Sequence, residues 1–245
     1  MILDSTENKR KILKNFLEIS AFEGWSNATL SKACEVSAID PKFQNLIFEN
    51  GCLDLIEFYI EEQNLKLAEK IEETQDFSGF KVREKIKFAL YNLFESEKNH
   101  QLSLQRLRSF YFDLRNLSNS QYGPHPLIMA FKHVGKVSDF IWAAIGDKST
   151  DFNFYTKRLT LSKIILKTFV VFVKDESLNL DKTKKFIDLE IEKVMKFEKL
   201  KSQVKNFSSG LKEKSCEFFY DEGGNIKSPK QVLQDLPFIR LFKKH

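Results

Sequence analysis

The stretch KILKNFLEISAFEGWSNATLSKACEVSAIDPKFQNLIFENGCLDL (residues 11–55) decides the fold. Its apolar residues recur at helical spacing: Ile12, Phe16 and Ile19, flanked by Leu13 and Leu17, line one face of a helix predicted from about Thr6 to Phe22. Gly24 stops that helix. Asn27 or Thr29 then caps a short helix running through Cys34, and residues 37–49 hold a third short helical piece. A longer helix follows from Cys52 to about Glu73, carrying Ile56, Tyr59, Ile60 and Leu67. Three short helices and a long one within seventy residues leave no room for a sheet.

The rest of the chain keeps this period, and no stretch alternates with period two. Residues 75–79 form a break, and residues 81–97 are helical. Residues 118–126, with Asn, Ser, Gly and two Pro, read as a loop. Helices are predicted from Leu127 to Ile145, ended by Gly146, from Asp151 to Lys174, and from Lys182 to about Leu200. The last two carry large apolar side chains on more than one face, so they pack against several neighbours, a second subunit among the candidates. Residues 221–228 read as a linker before a basic, apolar tail. The expected organisation is an all-α bundle with an N-terminal region (1–73), a helical domain (74–200) and a C-terminal amphipathic segment with a tail (201–245).

At 245 residues, with 42% apolar and 30% charged residues, the composition is that of an ordinary globular protein. The 24 Phe reflect residue usage rather than a cofactor box. Charge is unevenly placed. Residues 1–55 hold six basic and eight acidic side chains, whereas residues 196–245 hold eleven basic and six acidic ones. Such a basic end favours anionic surfaces, either nucleic acid or phospholipid headgroups. Cys34, Cys52 and Cys216 form no paired motif, which points to a reducing compartment. The opening MILDSTENKR carries no export or organelle signal. The most apolar run, residues 164–173, is interrupted by Lys167 and is far shorter than the roughly twenty residues of a membrane span.

Catalytic chemistry finds no foothold. His100, His125, His133 and His245 are too scattered for a zinc site. Glu97 and His100 make one Glu-x-x-His step of the kind used in di-iron bundles, but such sites need two copies. Tyr122 and Ala130 stand where His125 and His133 would need an acid, so the step reads as a surface coincidence. Glycine-rich phosphate loops, nucleophile elbows and paired cysteines are absent from the sequence. The expectation is a protein without metal, cofactor or enzymatic activity.

Residues 11–55 resemble the helix-turn-helix of the tetracycline-repressor family. The first helix ends in Gly24-Trp25, LSKACEVS (30–37) is similar to the family's second helix and turn, and FENGCLDLIEF (48–58) to the entry into its fourth helix. The departures concern DNA. Glu35 occupies the turn position usually held by Gly, and AIDPKFQNLIF (38–48) contains Pro41 and a single basic residue, Lys42. Gln44 and Asn45 could reach bases, but affinity for DNA comes mainly from neutralised phosphates, and this module is net negative. No nucleic-acid partner is expected.

The string GDKSTDFNFYTKRLTL (146–161) reads locally as a helix start: Gly146 closes one helix, and Ser149 or Thr150 caps the next with Asp151 at its positive end. Phe154, Tyr155, Lys157 and Arg158 follow at once. This string resembles the signature of the ubiquinone-biosynthesis lipid-binding protein family, whose mitochondrial member partners the demethoxyubiquinone hydroxylase, and VMKFEKLKSQVK (194–205) continues the likeness. The resemblance implies a tetracycline-repressor-like homodimer with a hydrophobic isoprenoid pocket and a terminal membrane helix. It also implies that an isoprenoid quinone intermediate or a phospholipid is bound and that aromatic isoprenes are handed to the hydroxylase. The partner-facing patch then falls on Ile141, Trp142, Phe154, Tyr155 and Arg158, with Phe154 replacing a common Trp or Tyr. The protein would work at the inner face of a membrane from the cytoplasmic side. Two other readings stay open: a lipid-sensing transcriptional repressor, and a helical dimer that only scaffolds a complex.

The tail supports membrane contact from its own residues. Leu200, Val204, Phe207, Leu211 and Phe218 fall on one helical face, with Lys199, Lys201, Lys205 and Lys212 off it. Each Lys near an anionic leaflet contributes about 1 kcal/mol, and half-burial of each apolar side chain about as much again. Truncation after about Leu200 is expected to abolish flotation with anionic liposomes while leaving dimerisation and helix content per residue nearly intact. Unchanged flotation would refute the membrane helix, and unfolding would assign the stripe to the core.

Overall fold

The computed structural model describes residues 6–112, 126–150 and 152–205, with side chains over 6–111, 128–150 and 153–197. The regular structure among them is helical: α1 (Thr6–Glu23), α2 (Asn27–Val36), α3 (Gln44–Ile47), α4 (Cys52–Glu73), α5 (Val82–Ser96), α6 (Gln101–Phe112), α7 (Pro126–Ala144), α8 (Phe152–Phe172) and α9 (Asp181–Lys205). Contacts divide the chain into units Met1–Ile191 and Glu192–His245, the boundary falling inside α9. The packing that follows belongs to the first unit. The expected loop at 118–126 lies outside the described residues except for Pro126, which opens α7.

The face predicted for α1 is its buried face, with Ile12, Leu13, Phe16 and Leu17 inside, and Gly24 ends the helix in a left-handed conformation, φ 83°. The cap of α2 differs from the expectation. Ser26 caps it, accepting the Thr29 N–H at 3.1 Å. Asn27 instead serves α4: its side-chain carbonyl accepts the Cys52 N–H at 2.8 Å, a partner 25 residues away. Gly51 is required there. It has φ 59°, and a Cβ would lie 2.3 Å from Asn27 Oδ1.

The helix-turn-helix resemblance also needs correction in detail. Glu35 is still helical, and the left-handed turn residue is Ala38, φ 59°. Pro41 opens a single 3-10 turn, Pro41–Phe43, capped by the Asp40 side chain, and α3 is one turn long. Gln44 is buried and accepts the Ser31 hydroxyl at 2.6 Å, so it is not available to read bases. Phe43 and Leu46 are exposed on this segment.

A buried polar set joins this region to the rest. Trp25 donates its indole N–H to the Ser103 carbonyl at 2.8 Å, and the Ser20 and Ser103 hydroxyls lie 2.6 Å apart. Trp25 packs edge-on against Phe16 and Tyr59. Tyr59 donates to the Glu97 carboxylate at 2.6 Å, and His100 Nδ1 lies 3.3 Å from it. Glu97 is therefore buried, against the expectation that the Glu-x-x-His step lies on the surface. Burial and the neighbouring Glu97 push the Tyr59 phenol well above its ordinary value, which keeps it a donor. Ser103 and Tyr111 belong to α6, a helix the sequence reading did not assign. Its apolar set, Leu104, Leu107, Phe110 and Tyr111, is buried.

From α6 the later helices are placed in turn. The Gln101 amide donates to the carbonyls of Phe172 (2.7 Å) and Asp175 (2.9 Å), satisfying the end of α8. Asp175 accepts the backbone N–H and hydroxyl of Thr183 in the first turn of α9, at 2.8 and 2.7 Å. Tyr111 and His133 share a 2.6 Å hydrogen bond between α6 and α7. Burial drives the His133 imidazole down to about 4, against the pull of Glu57, so it is neutral at pH 7. Glu57 of α4 accepts from Lys132 and Lys136 of α7 at 2.8 and 2.9 Å. Cys34 and Cys52 are both buried. Burial, then Glu35, pushes the Cys34 thiol up to about 11, and burial raises that of Cys52 further. Among the described residues no helix is long and apolar enough to cross a membrane.

Removing the Tyr59 hydroxyl should leave the Glu97 carboxylate buried with its main donor gone, a loss of about 1–3 kcal/mol. Urea denaturation should therefore show Tyr59→Phe destabilised by that amount, with part recovered in the double variant Tyr59→Phe/Glu97→Leu. An unchanged midpoint in Tyr59→Phe would mean that Glu97 is solvated.

Candidate functional site

The ends of α7 and α8 meet through the short connection that Gly146 opens, φ 84°. Asp147 organises the junction. Its nearly buried carboxylate accepts from Lys157 Nζ (2.7 Å), the Ser149 hydroxyl (2.8 Å) and Arg158 Nη1 (3.3 Å). Arg158 also donates through Nε to Asp139 of α7 at 2.5 Å, and the Ser138 hydroxyl donates to the Arg158 carbonyl at 2.8 Å. Burial acts to raise the Asp147 carboxyl, but Lys157, Ser149 and Arg158 together hold it down at about 2.

Both cations also cover aromatic rings. The Lys157 ammonium sits 5.2 Å from the centre of the Trp142 ring, and the Arg158 guanidinium 3.3 Å from that of Phe154. Phe154 meets Tyr155 edge-on, with ring centres 5.2 Å apart. Beside them an open depression of about 490 Å³ is lined by Asp147, Lys148, Ser149, Thr150 and Asn153.

The five residues assigned to a partner patch thus come together at different depths. Ile141 is fully buried and Trp142 is 8% exposed, so these two lie inside the protein rather than on a partner-facing surface, against the expectation. The Trp142 indole nitrogen is buried with no hydrogen-bond partner among the described residues. Phe154 and Arg158 are half-buried, and Tyr155, 66% exposed, stands out from the surface. Ser149, expected with Thr150 as an alternative helix cap, gives its hydroxyl to Asp147 and accepts from Lys157 at 2.6 Å. Asp151, the acid expected at the start of α8, lies outside the described residues. Asp139 and Asp147, which hold the cations of the junction, are the positions that sequence reasoning missed. Asp147 was legible only as the acid ten residues before Lys157.

The membrane-facing set, Leu200, Val204, Phe207, Leu211 and Phe218 with Lys201, Lys205 and Lys212, lies outside the residues whose side chains are described. The backbone of α9 is helical through Lys205. Among the described residues no three His, Cys, Asp or Glu side chains gather to hold a metal ion.

Fold and junction together define an all-helical protein with a helix-turn-helix-like N-terminal region and an aromatic, cation-rich junction near its surface. Residues 127–198, which contain that junction, match the COQ9 family. The chain is 26% identical over 203 residues to a probable mitochondrial ubiquinone biosynthesis protein coq9 of Dictyostelium discoideum, covering 81% of this chain and 63% of that protein. It is 24% identical over 203 residues to the mitochondrial ubiquinone biosynthesis protein COQ9 of Homo sapiens, and 23% over 205 residues to that of Bos taurus. Each of these alignments covers 83% of this chain and 62% of the relative. The chain thus spans less than two thirds of the length of the relatives it matches. The resemblance read from residues 146–161 and the one found by comparison are to the same family of ubiquinone-biosynthesis proteins.

Asp147 is charged in the fold down to about pH 2, whereas an ordinary aspartate titrates near 3.8. Its contribution is complete above pH 4 and is lost as pH falls from about 4 towards 2. The shift corresponds to about 2 kcal/mol at 1.36 kcal/mol per unit. Asp147→Asn should be less stable than the parent by that order at pH 7, and urea titrations should show the gap narrowing by pH 3. A gap that stays constant on acidification would show that Asp147 is not held in its charged form.

Proposed function

We propose that this chain is a non-catalytic accessory protein of ubiquinone biosynthesis. It binds an aromatic isoprenoid intermediate at a membrane and presents it to the demethoxyubiquinone hydroxylase. The family match supports the pathway. The observation that carries the docking surface is Tyr155, an aromatic side chain 66% exposed on a helix start locked by Asp147 and Arg158. A large aromatic held in place before contact is the kind of anchor in which interface energy concentrates. The orphan indole nitrogen of Trp142 fits the same reading, since a partner that displaces Lys157 could supply the missing acceptor. The half-buried apolar residues of α8, such as Phe169 and Val170, suit a lipid tail or a second subunit. Peripheral attachment through residues 200–218, at the inner face of the membrane, completes the proposal.

Against the repressor reading stand the burial of Gln44 and the single turn of α3, while Asn45 on the same turn is exposed.

Tyr155→Ala removes the anchor without touching the Asp147 network. In a pull-down with the hydroxylase it should weaken binding roughly tenfold or more, equivalent to about 1.4 kcal/mol, at an unchanged melting temperature. Phe154→Lys should weaken it too, with some loss of stability because Arg158 loses the ring it covers. Full binding by Tyr155→Ala would remove the junction as the docking site.

A further inference from the structure

A second feature, apart from the junction, lies in the helix-turn-helix-like region. A groove of about 290 Å³ runs between the end of α3 and the first half of α4. Its apolar part is Leu46, 61% exposed, and the half-buried ring of Phe58, with the buried ring of Phe48 beneath, its centre 6.3 Å from that of Phe58. Its lining includes the carboxylates of Glu49, Asp54 and Glu61 and the ammonium of Lys9, with Glu57 already paired to Lys132 and Lys136 of α7. In a DNA-reading module this segment would carry cations for phosphates. Here the charge is reversed, and an exposed leucine stands on the short helix that would face the bases.

The groove already attracts ammonium groups from within the chain. Lys9 Nζ lies 5.9 Å above the Phe48 ring. At the far wall Glu57 draws in both Lys132 and Lys136. Each is a cation on an aliphatic stem, placed where a ring or a carboxylate can hold its head. Glu49 and Glu61 are exposed on the rim, and Asp54 accepts from Asn50 through its backbone N–H and its side-chain amide.

We infer that the α3–α4 groove is a docking site for a basic, apolar segment of another protein, an amphipathic stretch that sets an aliphatic side chain on Leu46 and the open part of Phe58 and offers Lys or Arg to the exposed Glu49 and Glu61. The charge complementarity selects this occupant. Nucleic acid and an anionic bilayer are both repelled by the same carboxylates, and an acidic peptide would be as well. A purely basic peptide lacks the apolar contact that Leu46 offers. The site is separate from the α7–α8 junction, so one chain could hold two proteins at once.

The test uses the full chain and three fluorescent helical peptides of equal length, built from Leu and Lys, from Leu and Glu, and from Ser and Lys. Anisotropy should show the Leu–Lys peptide bound most tightly, with affinity falling as salt is raised. Leu46→Ser and Glu61→Lys should each weaken that binding roughly tenfold at an unchanged melting temperature, whereas Glu72→Lys, at the other end of α4, should leave it unchanged. Should Glu61→Lys melt early, the neutral pair Glu49→Gln/Glu61→Gln carries the same expectation. Equal binding of the Leu–Lys peptide to parent and groove variants would overturn the assignment, as would equal affinity for the Ser–Lys peptide. Displacement of the bound peptide by duplex DNA at physiological salt would overturn it as well, by returning the groove to nucleic acid.

Discussion

Ser103 is where the fold is pinned. Its carbonyl takes the Trp25 indole N–H and its hydroxyl meets that of Ser20, all inside the protein. Buried donors and acceptors tolerate few alternatives, because each unpaired group costs about 1–3 kcal/mol. Apolar packing alone would let α1 slide along α6, whereas these two contacts admit one register. Tyr59 and Glu97 repeat the device one layer away, between α4 and the turn that precedes α6. With α6 fixed, Gln101 is in reach of the end of α8, and the chain of contacts continues through Asp175 into α9.

The junction of α7 and α8 applies the same rule to charge. Two cations and a nearly buried carboxylate satisfy one another, and the same ammonium and guanidinium lie over aromatic rings. An aromatic surface built over such a network is ordered in the free protein, which in the proposed docking would lower the cost of contact. Asp147 holds the two helices, while Tyr155 meets the edge of Phe154 and otherwise stands in solvent.

Much of this was legible in the chain. The period of residues 6–23 and 52–73 marked α1 and α4, because each has a continuous apolar face bounded by local stop signals. Asn27 was misread as a cap of its own helix because its partner, Cys52, is distant in sequence and only folding brings them together. α6 escaped notice although Leu104, Leu107 and Phe110 or Tyr111 follow helical spacing, since Ser103, Arg106 and Arg108 dilute the pattern. Within the junction the residue types were visible and their depth was not. Whether Ile141 or Tyr155 meets solvent depends on how two helices turn towards each other, a quantity that no local pattern encodes. Glu97 makes the same point, because its burial is set by Tyr59, 38 residues away.

The two sulfurs of the N-terminal region add a property of a different kind. Cys34 sits in α2 and Cys52 at the start of α4, both closed off from solvent and both with thiols that resist ionisation. Reaction with an alkylating agent requires the thiolate and access to it, and the native packing withholds both. Modification can then proceed only through moments when α2 or the head of α4 lifts away. The rate at which each sulfur is tagged becomes a clock for that opening, a chemical record of breathing motions kept by the protein's own side chains.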